Sequence, residues 1–259
     1  MGVKVRLALS SGSALGFVHI GVIRAILKLG GEITEISGSS MGAVVSSFFA
    51  FGFSPERMLD VADEVGGRFT TFLKAALGSR GMPVISLEDI VRRYLGGRRI
   101  ADAHIPLYIY ATDLKTGEPY IFSGDDDVVT ALKASTAIPG VFPWVKYRGM
   151  LLVDGGVASP LPTSVFSRSE EGLVVAVNVY AGARNCPWSP PRLPFLSDVS
   201  ALLRSYSLIM DRMTSIYASG AHVVLTPPLC QFNSLDFGKA RAIADVGYRY
   251  AMRYLSGLL

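Results

Sequence analysis

Two kinds of apolar pattern take turns along this chain. Val3 to Leu9 alternates and then saturates with apolar residues, which predicts a central strand. Val18, Ile20 to Ile23, Ile26, Leu27 and Leu29 recur at helical spacing, and Gly30-Gly31 marks where that helix should stop. The branched run Ile33 to Ile36 predicts a second buried strand, and Ala43-Val-Val-Ser-Ser-Phe-Phe-Ala50 a packed helix. Strand, helix, strand, helix is the opening of a mostly parallel sheet.

The pattern continues in the same style. Ser54 reads as an N-cap with Pro55 in the first helical position, and residues 54–80 as two short helices. A further helix begins at Ser86-Leu-Glu-Asp89 and ends at Gly96-Gly97. Leu107 to Ala111 predicts a strand with Glu118 to Phe122 as its hairpin partner, and Asp127 to Ala137 a helix that stops before Pro139. Leu151 to Val153 is a short strand running into Asp154-Gly155-Gly156, and Leu173 to Val179 another central one. The proline-rich stretch from Ala181 to Pro194 has no periodicity and reads as a surface loop. A long helix over Asp198 to Ser219, a strand over His222 to Leu225 and a helix over Gly238 to Leu255 complete the chain.

Composition narrows the class. With 259 residues, half of them apolar and 18% charged, the chain can build one large core. The longest apolar stretch, Met41 to Phe53, is too short and too rich in serine and glycine to span a bilayer, for which about 20 residues are needed. Met1-Gly-Val-Lys-Val-Arg leads straight into a strand with no basic-then-apolar leader, so a cytoplasmic protein is expected. The net charge of +4 reads either as a solvated basic surface or as attraction to anionic lipid headgroups, hence peripheral contact with a membrane surface. Basic pairs at Arg92-Arg93 and Arg98-Arg99 do not form a nucleic-acid arm, and nucleic-acid binding is not expected. Cys186 and Cys230 lack zinc-site spacing; a disulfide between them is allowed and not demanded.

The chemistry gathers around Gly38-Ser-Ser-Met-Gly42. Strand, G-x-S-x-G turn and helix form a nucleophile elbow, which lifts Ser40 to the mouth of a sheet beneath the N–H groups of a helix starting at Met41. Acyl transfer also needs oxyanion donors, and the small-residue turn Ser10 to Gly16 can bring the backbone N–H groups of Gly12, Ser13 and Ala14 close to a substrate oxygen. A phosphate-binding dinucleotide turn is the competing reading of that loop. It lacks the first glycine in register, and no acidic residue ends the second strand. For the base, His19 sits beside the glycine loop, where it packs or orients it, and His104 lies in a polar linker. His222 follows Ser40 and Asp154 in α/β-hydrolase order but opens a strand, and only two strands precede the elbow. Asp154 ends a strand before two glycines; it can serve as a base only if desolvated, with a raised pKa, in direct contact with Ser40.

Five segments in order resemble the patatin-like phospholipase family of Ser-Asp dyad lipid acyl hydrolases. They are Leu9-Ser-Ser-Gly-Ser-Ala-Leu-Gly-Phe-Val-His-Ile-Gly-Val-Ile, Gly38-Ser-Ser-Met-Gly-Ala, Ala111-Thr-Asp-Leu-Lys-Thr-Gly-Glu, Ala134-Ser-Thr-Ala-Ile-Pro-Gly-Val-Phe-Pro and Val153-Asp-Gly-Gly. The resemblance implies Ser40 as nucleophile, Asp154 as base and an oxyanion hole lined by Gly12 to Ala14; the N–H of Met41, at the helix start, is a further candidate donor. It implies a lipid or acyl-ester substrate and no metal or cofactor. Ser11, Ser13 and Leu15 stand where the family usually has glycines and an arginine, which removes a cation from the mouth. Asp113 and Ser135 lie in family-like segments, and structural roles are expected of them. The expectation is therefore an α/β protein, a three-layer α/β/α sandwich with a mostly parallel sheet, formed as a single domain over residues 1–259. It would carry a serine ester hydrolase, with the helices between Phe53 and Leu77 as candidate acyl-channel wall or lid. An acyltransferase with the same dyad and a lipid-binding protein on an inactive fold are the alternatives.

Overall fold

The computed structural model describes residues 2–76, 87–167, 171–189 and 194–259, with only the backbone of 68–76, 87, 194–196 and 199. Eight strands form one sheet: β1 (Lys4–Leu9), β2 (Glu32–Ser39), β3 (Leu107–Asp113), β4 (Pro119–Phe122), β5 (Val145–Tyr147), β6 (Met150–Asp154), β7 (Leu173–Val177) and β8 (Val223–Leu225). The helices are α1 (Val18–Lys28), α2 (Met41–Ala50), α3 (Pro55–Ala76), α4 (Leu87–Leu95), α5 (Val128–Ser135), α6 (Pro194–Tyr217) and α7 (Ala240–Leu255). Strands β3, β2, β1, β7 and β8 run parallel in that order, and the antiparallel β4, β5 and β6 gather at the β3 end.

Strand alternation makes the sandwich. Val5, Leu7 and Leu9 of β1, with Val175 and Val177 of β7, face a large core shared with α1 to α5 and α7. Ala8, Val174 and Ala176 face the other way, into a smaller core closed by Leu161, Phe166 and the end of α6 near Tyr217. Period-2 alternation on a strand buried on both faces needs apolar residues at nearly every position, which is why these strands read as continuous apolar runs.

One edge of β3 is shared by two strands, and this positions the site. β2 runs parallel along its first half, ending with Ser39 opposite Tyr110. β6 comes in antiparallel along its second half, ending with Asp154 opposite Ala111. β4 pairs with residues 109–112 and so takes the other edge. The C-terminal ends of β2 and β6 therefore meet head to head at neighbouring positions of β3.

The structure departs from the sequence expectations in two places, the helix after Pro55 and strand β5. Residues 55–76 form one helix where two were expected; residues 77–86 lie outside the described residues. Gly66 is not a break, because a Cβ there would sit 2.5 Å from the Phe237 carbonyl oxygen, so the glycine serves close packing. Strand β5 was not anticipated; it joins β6 through Arg148-Gly149, both at positive φ, as a two-residue hairpin turn requires. Cys186 and Cys230 are joined in a disulfide. That bond sits uneasily with the expectation of a reducing cytoplasm. Among the described residues, no helix is long and apolar enough to cross a membrane.

Candidate active site

Ser40 stands between β2 and α2 at φ 54°, ψ −123°, a conformation side chains avoid. The turn is this tight because α2 folds back directly over β2. A Cβ on Gly38 would lie 2.4 Å from the Gly42 backbone, and one on Gly42 would lie 2.3 Å from the Leu9 carbonyl oxygen. Two hydrogen bonds hold the strained residue: its N–H donates to Ser135 Oγ at 2.9 Å, and its carbonyl accepts from the Val44 N–H at 3.1 Å.

Asp154 meets it from β6. Ser40 Oγ donates to Asp154 Oδ2 at 2.6 Å, with both residues buried. Asp154 Oδ1 accepts from the Gly156 N–H at 2.8 Å and from the Tyr206 hydroxyl at 3.4 Å. Its backbone is fixed on both sides, the N–H on the Ala137 carbonyl and the carbonyl on Thr112 Oγ1. The segment that follows is tied to β1 and β2: Ser39 Oγ donates to the Ser159 carbonyl, Ser37 Oγ to the Pro162 carbonyl and the Ser11 N–H to the Pro160 carbonyl. Burial raises the Asp154 carboxyl to about 6, against the opposing pull of Ser40, Gly156 and Tyr206. A carboxylate so placed is ionised at neutral pH yet more basic than a solvated one.

The loop after β1 presents its N–H groups unequally. Among the described residues, the Gly12 and Ser13 N–H groups have no partner, nor does that of Met41 at the start of α2. Ala14 is the exception, since its N–H donates to the Ser234 carbonyl at 3.1 Å. It is thus committed elsewhere and leaves the donor set. Ser13 adopts φ 49°, and its hydroxyl donates to the same Ser234 carbonyl at 2.7 Å. A serine thereby keeps a glycine-like backbone. His19 donates Nε2–H to the Ser10 carbonyl at 2.8 Å beneath the loop, and burial lowers its pKa to about 4, so it braces the loop as a neutral ring.

Ser234 lies four residues beyond Cys230, whose disulfide closes a 44-residue separation. Replacing Cys230 with serine is expected to lower stability by about 2–4 kcal/mol, read from urea unfolding midpoints of the oxidised wild type and the variant.

His222 is not part of this arrangement. Its Nδ1 accepts from the Val174 N–H at 2.9 Å, near the N-terminal end of β7, whereas Ser40 lies at the C-terminal end of the parallel strands. Asp113 receives the N–H groups of Lys115 and Leu151 and so pins the turn after β3. Tyr206 escaped the sequence reading; it arrives from α6, and no local motif marks it.

Met41, which follows Ser40 in the chain, is one of the residues lining a narrow apolar cavity of about 30 Å³. Val44, Val45 and Phe48 of α2 face Met58, Val61, Ala62 and Val65 of α3 across it. The first half of the anticipated wall therefore lines an apolar cavity that Met41, the residue after Ser40, also lines. The side chains of 69–76, and Leu77, lie outside the described residues.

An elbow serine bonded to a buried aspartate at the edge of a mixed α/β sheet defines a patatin-like protein. The chain belongs to the patatin-like phospholipase family, whose sequence profile matches residues 7–167. It is 36% identical to an uncharacterized NTE family protein of Mycobacterium tuberculosis over 68% of this chain and 49% of that one. It is 25% identical to patatin-like phospholipase domain-containing protein 6 of Homo sapiens over 99% of this chain and 20% of that one. The chain thus spans about half the length of the first relative and a fifth of the second. Among solved structures, VipD from Legionella pneumophila shares the fold, with a TM-score of 0.57 at 14% identity over 99% of this chain and 67% of that one.

Proposed function

We propose that this chain is a serine hydrolase of lipid acyl esters in which Ser40 is the nucleophile and Asp154 its general base. The observation that carries the reading is the 2.6 Å bond between Ser40 Oγ and Asp154 Oδ2 on a strained elbow. Asp154 accepts the hydroxyl proton as Ser40 Oγ adds to the ester carbonyl carbon. The negative charge that forms on the carbonyl oxygen is met by the N–H groups of Gly12, Ser13 and Met41. Collapse of the intermediate expels the alcohol, which takes the proton from Asp154, and leaves an acyl group on Ser40. Water then attacks that ester, giving a proton to Asp154, and the second collapse returns it to Ser40 and releases the carboxylic acid.

The apolar cavity at Met41 supports an acyl chain as the group that is bound. At about 30 Å³ it is too small for an acyl chain of several methylenes, which therefore requires α3 to move away from α2. Val44→Leu adds one carbon at the cavity wall. It is expected to lower kcat/KM for long-chain p-nitrophenyl esters about tenfold and leave the acetate ester unchanged. A uniform loss across chain lengths would place the acyl chain elsewhere. Running the same esters with an added alcohol tests the reaction type: free acid as sole product supports hydrolysis, and a new ester as main product would make the chain an acyltransferase.

A further inference from the structure

Around the dyad the surface is apolar and cationic. In the loop between α5 and β5, Phe142 and Trp144 are 51% and 56% exposed; Trp188 and Leu202 are each 41% exposed. Burial of such side chains is the norm, so four of them on one rim need a reason. A Cβ on Gly140 would touch Leu202 Cδ2 at 3.4 Å, and Trp188 Nε1 donates to Ser200 Oγ at 3.4 Å, so both loops meet the start of α6. The rim is continuous with the chemistry: Tyr206 of α6 reaches Asp154, and Ala137, at the root of the first loop, holds the Asp154 N–H.

Charge says what this rim meets. From Leu202 to Ile216 the exposed positions of α6 are aliphatic or serine apart from Arg212, with Ile209 and Ile216 among them, and none is acidic. Lys146 of β5 is exposed two residues beyond Trp144. Lys146, Arg204 and Arg212 have no acidic partner among the described residues, whereas Arg92, Arg241 and Arg249 elsewhere are paired. Asp198, the fifth residue of α6, is exposed and acidic and lies before this stretch. A second copy packed about a twofold axis would set these cations against each other. Aromatic side chains beside cations that no carboxylate neutralises suit the headgroup region of an anionic bilayer.

We propose that the rim of loop 138–144, Trp188 and the exposed face of α6 docks on an anionic phospholipid surface and turns the Ser40–Asp154 site toward it. This rests on the lipid-hydrolase reading, and the experiment separates the two. The only two tryptophans of the chain, Trp144 and Trp188, lie in this rim and report on it directly. Vesicles of phosphatidylcholine with phosphatidylglycerol should shift tryptophan emission to the blue and carry the protein into the pellet, less so at high salt. Ile209→Glu and Trp144→Ala should each weaken partitioning about tenfold while hydrolysis of soluble p-nitrophenyl butyrate is unchanged. Equal partitioning of wild type and Ile209→Glu would overturn the proposal. So would no partitioning at all, or self-association that Ile209→Glu dissolves. Vesicle binding is also read on Ser40→Ala, so a wild type that binds vesicles but cleaves no ester refutes the hydrolase reading alone.

Discussion

Ser40→Ala is expected to lower kcat/KM for p-nitrophenyl butyrate by about 10⁴-fold or more. The size of the effect follows from the chemistry. Without the hydroxyl no acyl-enzyme forms, and only the oxyanion donors and substrate binding remain to assist attack by water. The fold should survive, because the bonds that hold the elbow use the Ser40 N–H and carbonyl rather than its side chain. Ser47→Ala is the matched control: it sits about two turns into the same helix, with its hydroxyl on the Ala43 carbonyl, and should retain activity. Labelling by a fluorophosphonate gives an independent reading, present in wild type and Ser47→Ala and absent in Ser40→Ala. Residual hydrolysis within tenfold of wild type would remove Ser40 as the nucleophile.

Much of this site was legible because its parts are local. The elbow needs five consecutive residues between a strand and a helix, and Gly38, Ser40 and Gly42 announce it in the sequence. Strand β7 was legible for a related reason, since burial on both faces leaves an unbroken apolar run, and in β1 only Arg6 interrupts one. What could not be read depends on contacts between distant segments. That Ala14 gives its N–H to Ser234 is a meeting of residues far apart in sequence, and no feature of the β1 loop foretells it. Tyr206 reaches Asp154 from a helix whose local pattern is ordinary. That residues 55–76 form one helix also depends on a distant contact, since Gly66 inside it costs stability locally but makes room for the Phe237 backbone. Strand β5 is three residues long, too short for any periodicity to show. The cysteines left both states open, because spacing alone does not fix proximity.

Asp154→Asn is expected to lower kcat/KM by about 10³-fold or more, and at the same time to make the protein more stable at neutral pH. Both effects come from one cause. Burial raises the Asp154 carboxyl from 3.8 to about 6, which keeps it basic enough to take a proton from Ser40. The wild-type rate should therefore rise with pH through an apparent pKa near 6, because only the ionised form is a base. The sign for stability is the opposite. Between pH 4 and 6 the folded state binds more protons than the unfolded chain, so stability falls as pH rises through that window. Above it, the ionised buried carboxylate costs up to about 3 kcal/mol. Asparagine cannot ionise and avoids that cost, so the variant should gain stability at pH 7.5, with the gain vanishing below about pH 4. Urea unfolding of both proteins across this range, beside their pH–rate profiles, tests the two effects together. An acid limb near 4 with no stability gain would mean a solvated carboxylate. Asp154 would then hold Ser40 in place without serving as its base, and another group would have to take the proton.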